Sequence, residues 1–476
     1  MHKQFFFITF YLLFGGYLTA LPTYSFRSAR VCDNCHVTPF NKKRDWENPV
    51  LKNRKCNMSC QTCHINPAGG GLRNASGRYY TLTTLPTWGA KKRPYHDKVK
   101  KREIWQLKNR IIGVKKKSPK KQKINKKKSS TPKPVKTKNG SYPEDFLSFG
   151  APLDTNNFKN QSKYALWDQR YGPINPDPFL TFGADARVAF YSSEGFTALF
   201  PMQYDIGTAL HPIEHVTVSA TAGLQGRTDA NTNQMNIKLQ NAFLLIHELP
   251  YMAYLQAGYF LPEFGLRVDD HTMYGRENFE MDTTFSDYNV AGAQIGFAPN
   301  YPYASASTFQ TLDQNYNATG FGFATNFAYR GIEWGLASSY MQKTRDYNKG
   351  GDLYAVSLSG YYNLWSFWKS SRYTNPIIFQ FEYNIGRKPR SEFTMKSYST
   401  ATYMIDYLVF NGFNMRMSFV YYDQDFDLIS DGIASTSLGF DWTIYRFIRF
   451  SFDFRTIIPD GGEASTEMII FVHSYI

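Results

Sequence analysis

From Phe179 to the C-terminal end the chain alternates apolar and polar residues with a two-residue period, in runs of 9 to 15 residues. Leu180, Phe182, Ala184, Ala186, Val188 and Phe190 share one face, with Thr181, Gly183, Asp185 and Arg187 on the other. The pattern returns at Ile377, Phe379, Phe381 and Tyr383 against Gln380, Glu382 and Asn384. It recurs at Phe413, Met415, Met417 and Phe419 against Arg416, and at Ile448, Phe450, Phe452 and Phe454 against Asp453 and Arg455. Only strands have this period, and their second face carries ionised residues of both signs. A closed sandwich core accepts no such face, but a wet lumen does.

Composition supports the same choice. Aromatic residues make up 17% of the chain, with 39 Phe and 34 Tyr, yet mean hydropathy is −0.43 and one long apolar run appears, at the start. A bundle of membrane helices is excluded. The sequence predicts an all-β fold, a transmembrane antiparallel β-barrel over residues 141–476. At about 20 residues per strand and connection, 336 residues give about 16 strands. The aromatic residues would form girdles at the lipid–water boundaries.

Charge divides the chain into unlike parts. Residues 1–90 hold 11 basic and 3 acidic residues, 91–140 hold 21 and 2, and 141–476 hold 22 and 34. Residues 1–20 read as a secretory signal: Lys3, an apolar stretch from Phe5 to Leu18, and small residues near Ala20. Residues 91–140 read as a solvated basic linker, in which a short amphipathic stretch around Ile104, Leu107 and Ile111 precedes lysine runs such as Lys115–Lys117 and Lys126–Lys128. Export argues against a nucleic-acid partner. Anionic headgroups, an acidic redox partner and the acidic barrel are the alternatives.

All five cysteines fall between Cys32 and Cys63. Four of them form two Cys-x-x-Cys-His motifs, Cys32, Cys35, His36 and Cys60, Cys63, His64. Paired thiols at this spacing add to the vinyl groups of one haem, and the adjacent imidazole ligates its iron. Residues 21–90 are therefore predicted to be a small di-haem c-type cytochrome module with two c-type haems, His36 and His64 being the proximal ligands. Met58 and His96 are the candidate distal ligands. A zinc ribbon is the competing reading, but 24 residues separate Cys35 from Cys60, against roughly 15–20 in that motif. Cys56 has no assigned role.

A second cluster lies within the barrel region. Between Arg267 and Asp287, Asp269, Asp270, His271, Glu277, Glu280 and Asp282 accompany Arg276 in a segment without strand periodicity. Oxygen and imidazole ligands of this kind can attract a divalent cation such as ferrous iron. The favoured expectation is a solvated or lumen-folded loop whose carboxylates pair with wall arginines.

An exported Cys-x-x-Cys-His module joined to such a barrel resembles the fused cytochrome-porins, outer-membrane iron-oxidising cytochromes among them. Arg30 and Gly77-Arg78-Tyr79 look like the family's flanking pattern, and Gly258 to Leu266 looks like a strand-to-loop segment of phosphate-selective porins. The resemblance implies an electron conduit in the outer membrane of a Gram-negative bacterium, linking an extracellular donor or acceptor, ferrous iron among the candidates, to a periplasmic cytochrome or other carrier. The alternative is a solute porin with a tethered periplasmic di-haem cytochrome.

Overall fold

The computed structural model describes residues 60, 64–67, 69, 71–74, 77 and 78, and then 179–475 except 214, 226–236, 267–275, 277, 282–287, 300, 314, 315, 331–333, 350, 365–376, 411, 430 and 446. Residues 1–20, the first Cys-x-x-Cys-His motif with Cys32, Cys35 and His36, the residues Cys63, Met58 and His96, and residues 91–140 lie outside the described residues.

Sixteen antiparallel strands close into one barrel. They are β1 Leu180–Ser193, β2 Phe196–Ile213, β3 Val216–Gln225, β4 Ile237–Leu249, β5 Ala253–Phe260, β6 Val290–Phe297, β7 Pro302–Leu312 and β8 Ala318–Arg330. The second half comprises β9 Trp334–Arg345, β10 Leu353–Asn363, β11 Ile377–Ser391, β12 Thr394–Phe410, β13 Phe413–Asp423, β14 Gly432–Tyr445, β15 Ile448–Pro459 and β16 Ser465–Tyr475. Each strand pairs with its chain neighbours, and β1 pairs with β16 from Asp185↔Tyr475 to Ser193↔Glu467. Closure matters energetically, because an open edge would leave backbone N–H and C=O groups without partners in hydrocarbon.

Alternation sets which side chains meet lipid. Phe182, Leu199, Ile206, Phe327, Leu438 and Phe454 point outward and are exposed, whereas Thr181, Gln380, Arg416, Ser437 and Asp453 point inward and are buried. Near one rim the outward aromatics cluster: Tyr329 lies 4.7 Å from Trp334, and Phe410 4.9 Å from Phe413, between ring centroids. This is the expected interfacial girdle. The alternation is interrupted by bulges, as between Arg187 and Val188, where β1 pairs with β2.

The two rims differ. Six of the seven connections at the rim where β1 begins and β16 ends are two to four residues long, while the opposite rim carries the 29 residues between β5 and β6. The described residues of that connection, 261–266, 276, 278–281, 288 and 289, include several that pack inside the barrel. Phe264, Phe279 and Met281 are buried against inward-facing Phe309, Met341, Tyr398 and Tyr422. Phe279 stacks on Phe264 at 5.9 Å and tilts against Tyr398 at 4.8 Å.

Candidate functional site, a lumen filled from two sides

The inserted connection is held by polar contacts as well as by its phenylalanines. Leu266 N donates to Glu382 Oε1 at 2.6 Å, Gly265 N to Ser339 Oγ at 3.1 Å, and Tyr398 Oη to the Asn278 carbonyl at 2.8 Å. Gly265 has φ +62, and a β-carbon there would stand 2.3 Å from the Glu382 carboxylate, so any other residue would take a strained backbone and displace that carboxylate. Glu280 accepts from Lys343 Nζ at 2.7 Å and from Arg345 Nη2 at 2.6 Å. Burial opposes ionisation of Glu280, but Lys343 and Arg345 outweigh it and hold the carboxyl at about 2.

Glu280 is thus paired with basic residues of β9, as the lumen-loop reading anticipates. Asp269, Asp270, His271, Glu277, Asp282 and Asp287, the other members of the acidic segment, lie outside the described residues. Among the described residues the group suited to a metal ion lies elsewhere, at His215, His247 and Glu248.

The second occupant of the lumen is the segment around His64. His64 N donates to Cys60 O at 2.9 Å, closing one helical turn that brings the thiol-bearing and imidazole-bearing residues of the second motif together. The chain then doubles back: Ile65 N donates to Leu72 O at 3.0 Å, and His64 bridges to Arg73. Gly69, at φ +88, lies at the turn, where a β-carbon would come 3.2 Å from Cys60 Sγ. Asn74 caps the next turn, its Oδ1 accepting from Gly77 N at 3.0 Å.

Ile65 and Leu72 are 5% and 7% exposed, buried against Ala209, Phe243, Leu245, Tyr254, Ala298 and Tyr303 of the inner wall. Full burial of each side chain is worth about 1.5–3 kcal/mol. Two arginines fasten the flanks: Arg73 lies 4.1 Å over the Tyr475 ring, and Arg78 donates to the Phe182 carbonyl. Every wall residue named here belongs to the short-turn rim or the half of the barrel next to it.

Beneath this patch lies a directional chain of buried hydrogen bonds. Gln294 Nε2 donates to Tyr254 Oη at 2.6 Å, Tyr254 and Tyr303 share a bond of 2.9 Å, and Tyr303 Oη donates to Glu263 Oε1 at 2.5 Å. Ser305 Oγ donates to Glu263 Oε2 at 2.8 Å, and Arg330 Cζ lies 3.5 Å over the Tyr303 ring. The hydroxyl donors, together with the positive charge of Arg330 nearby, compensate the buried carboxylate. Such a network rigidifies the wall on which Ile65 and Leu72 rest.

A strict outward-apolar, inward-polar rule misses this patch, because Phe243 and Leu245 face inward. Its signal is nonetheless in the sequence: Ala242-Phe243-Leu244-Leu245-Ile246 breaks the alternation with five consecutive apolar residues. A strand apolar on both faces has something to bury on each.

Taken with its outward apolar belt, the closed sixteen-strand antiparallel cylinder defines a porin-type membrane barrel. No family model matches the chain, and no curated protein does. Among solved structures, a loop-deletion form of OmpT, an outer membrane protein of Vibrio cholerae, is similar over 62% of this chain and 99% of its own, with a TM-score of 0.50 and 8% identity. The anion-selective porin of Comamonas acidovorans covers the same shares at 10% identity and a TM-score of 0.47. OprB of Pseudomonas putida covers 62% and 94%, at 8% identity and 0.46. The Vibrio match speaks for the fold, and at that identity for the fold alone.

Proposed function

We propose that this chain is an outer-membrane porin-cytochrome, a barrel that carries covalently bound haem in its lumen and passes electrons between an extracellular donor or acceptor and a periplasmic carrier. The observation that supports it is the burial of Ile65 and Leu72, which bracket the stretch after His64, on the inner wall. The residues present fit a c-type haem. Cys60 lies next to Gly69, whose missing side chain keeps the flank of the sulfur clear, and His64 sits one helical turn away.

Cys60 and Cys63 would hold the group through thioether bonds, and His64 would ligate its iron. Bound there, it supplies a one-electron couple inside an otherwise insulating layer of about 30 Å. The chain's own contribution is positional: Ile65 and Leu72 exclude water from the wall patch, while Arg73 and Arg78 fix the flanks. Short turns are periplasmic in barrels of this class, so the His64 segment would enter from the periplasmic mouth. The outward apolar belt contacts lipid.

A solute porin with a tethered haem segment is the second reading, and the porin-type barrel taken by itself favours it. Proteoliposomes separate the two. A conduit transfers electrons from an external reductant to a trapped dye and conducts ions poorly, while a solute porin conducts ions and leaves the dye oxidised.

A further inference from the structure

We propose that the short-turn rim carries a site for a first-row transition-metal dication, held by His215, His247 and Glu248. One ligand atom from each residue lies within 4.8 Å of the others. Backbone pairing brings them together. Val216 of β3 pairs with Ile246 of β4, and just beyond that rung His247 N donates to His215 O at 2.9 Å. The two imidazoles therefore come from adjacent strand ends, 6.2 Å apart between centroids and steeply inclined at 72°.

His215 and Glu248 both adopt left-handed backbone, with φ 69 and 55, where the chain turns at the rim. Non-glycine residues seldom take this conformation, and here both members of the pair do so. It leaves His215 Nδ1 3.6 Å from Glu248 Oε2.

Outer contacts resemble those that orient metal ligands. Thr217, 1% exposed, places its hydroxyl 3.1 Å from His247 Nε2 and 2.9 Å from His211 Nδ1. With Nε2–H directed to Thr217, His247 keeps the Nδ1 lone pair for a cation, and a hydrogen-bonded hydroxyl fixes the ring. Two imidazoles and one carboxylate select zinc, nickel, cobalt or copper dications over calcium or magnesium, which prefer an all-oxygen shell. His215 and Glu248 are 44% and 58% exposed, so water completes the coordination. The ion would link the β2–β3 and β4–β5 turns. Leu245 and Met252, on either side of His247 and Glu248, belong to the patch that receives Ile65 and Leu72. The site depends on neither haem nor electron transfer.

Equilibrium dialysis of the full chain in detergent against Zn2+, followed by metal analysis, tests it. Wild type is expected to hold one more zinc than H215A/H247A. T217V is expected to bind it about 10–100-fold more weakly. Equal zinc in wild type and the double variant, whether none or bound through cysteines, would overturn the site. Should the double variant lose its barrel circular dichroism, E248Q decides. An affinity at least about tenfold weaker supports the site, and an unchanged one overturns it.

Discussion

Leu72 closes on Gly207 of β2 so tightly that a β-carbon at residue 207 would stand 2.8 Å from Leu72 Cγ. The wall here lacks a side chain where the inserted segment needs the space. Gly207→Leu should therefore expel the segment while leaving the barrel closed. The forfeited burial of Leu72 is worth about 1.5–3 kcal/mol. Faster proteolysis near residue 72 and a larger single-channel conductance are the expected readouts. Unchanged values would place Leu72 outside the lumen.

Removing the charge of Glu280 should loosen the other inserted segment. Lys343 is 1% exposed, so Glu280→Gln strands a buried ammonium beside Arg345. Breaking such a pair costs about 3–5 kcal/mol. Noisier, larger conductance at neutral pH is expected, with the lysine variant Lys343→Met giving a milder change because Arg345 still meets Glu280.

The same carboxylate sets a pH dependence. Its folded value of about 2 lies below the ordinary 4.5, so the stabilisation is fully present above about 4.5. It is lost as pH falls toward 2. Conductance of the wild type should therefore hold steady from neutrality to about pH 5 and rise on further acidification, whereas E280Q should lack this step. A transition near neutrality would contradict the pairing.

The outward face is assigned by lipid rather than by a protein core. Leu438, 55% exposed at the middle of β14, should resist charge. Leu438→Arg is expected to cost about 2–4 kcal/mol of folding stability in vesicles. Arginine at the neighbouring inward position 437 should cost less if the lumen is wet there. Equal costs would mean that the two faces see the same solvent.

The cylinder is legible in the sequence because lipid outside and water inside impose a period-two pattern that few other folds need. Arg416 between Met415 and Met417, or Asp453 between Phe452 and Phe454, announces its face unaided. About 16 strands follow from length, and sixteen are found. Pairing of Glu280 with the wall is legible as a class of contact, but Lys343 and Arg345 as its partners depend on where the chain re-enters the lumen. The docking patch is harder to read. Phe243 and Leu245 signal an inward apolar face, yet nothing local connects them to Ile65 and Leu72, over 170 residues earlier. The rim histidines are separated by 32 positions and meet through strand register. Bulges are likewise set by pairing rather than by residue type.

The quantity that bears most directly on a haem-carrying lumen is the covalent haem content of the detergent-extracted, folded barrel, read from its absorption spectrum and from haem staining after denaturation. Two haems per chain are expected from the two motifs, falling to one in Cys60→Ser/Cys63→Ser with the barrel intact. A folded, colourless barrel would contradict the proposal.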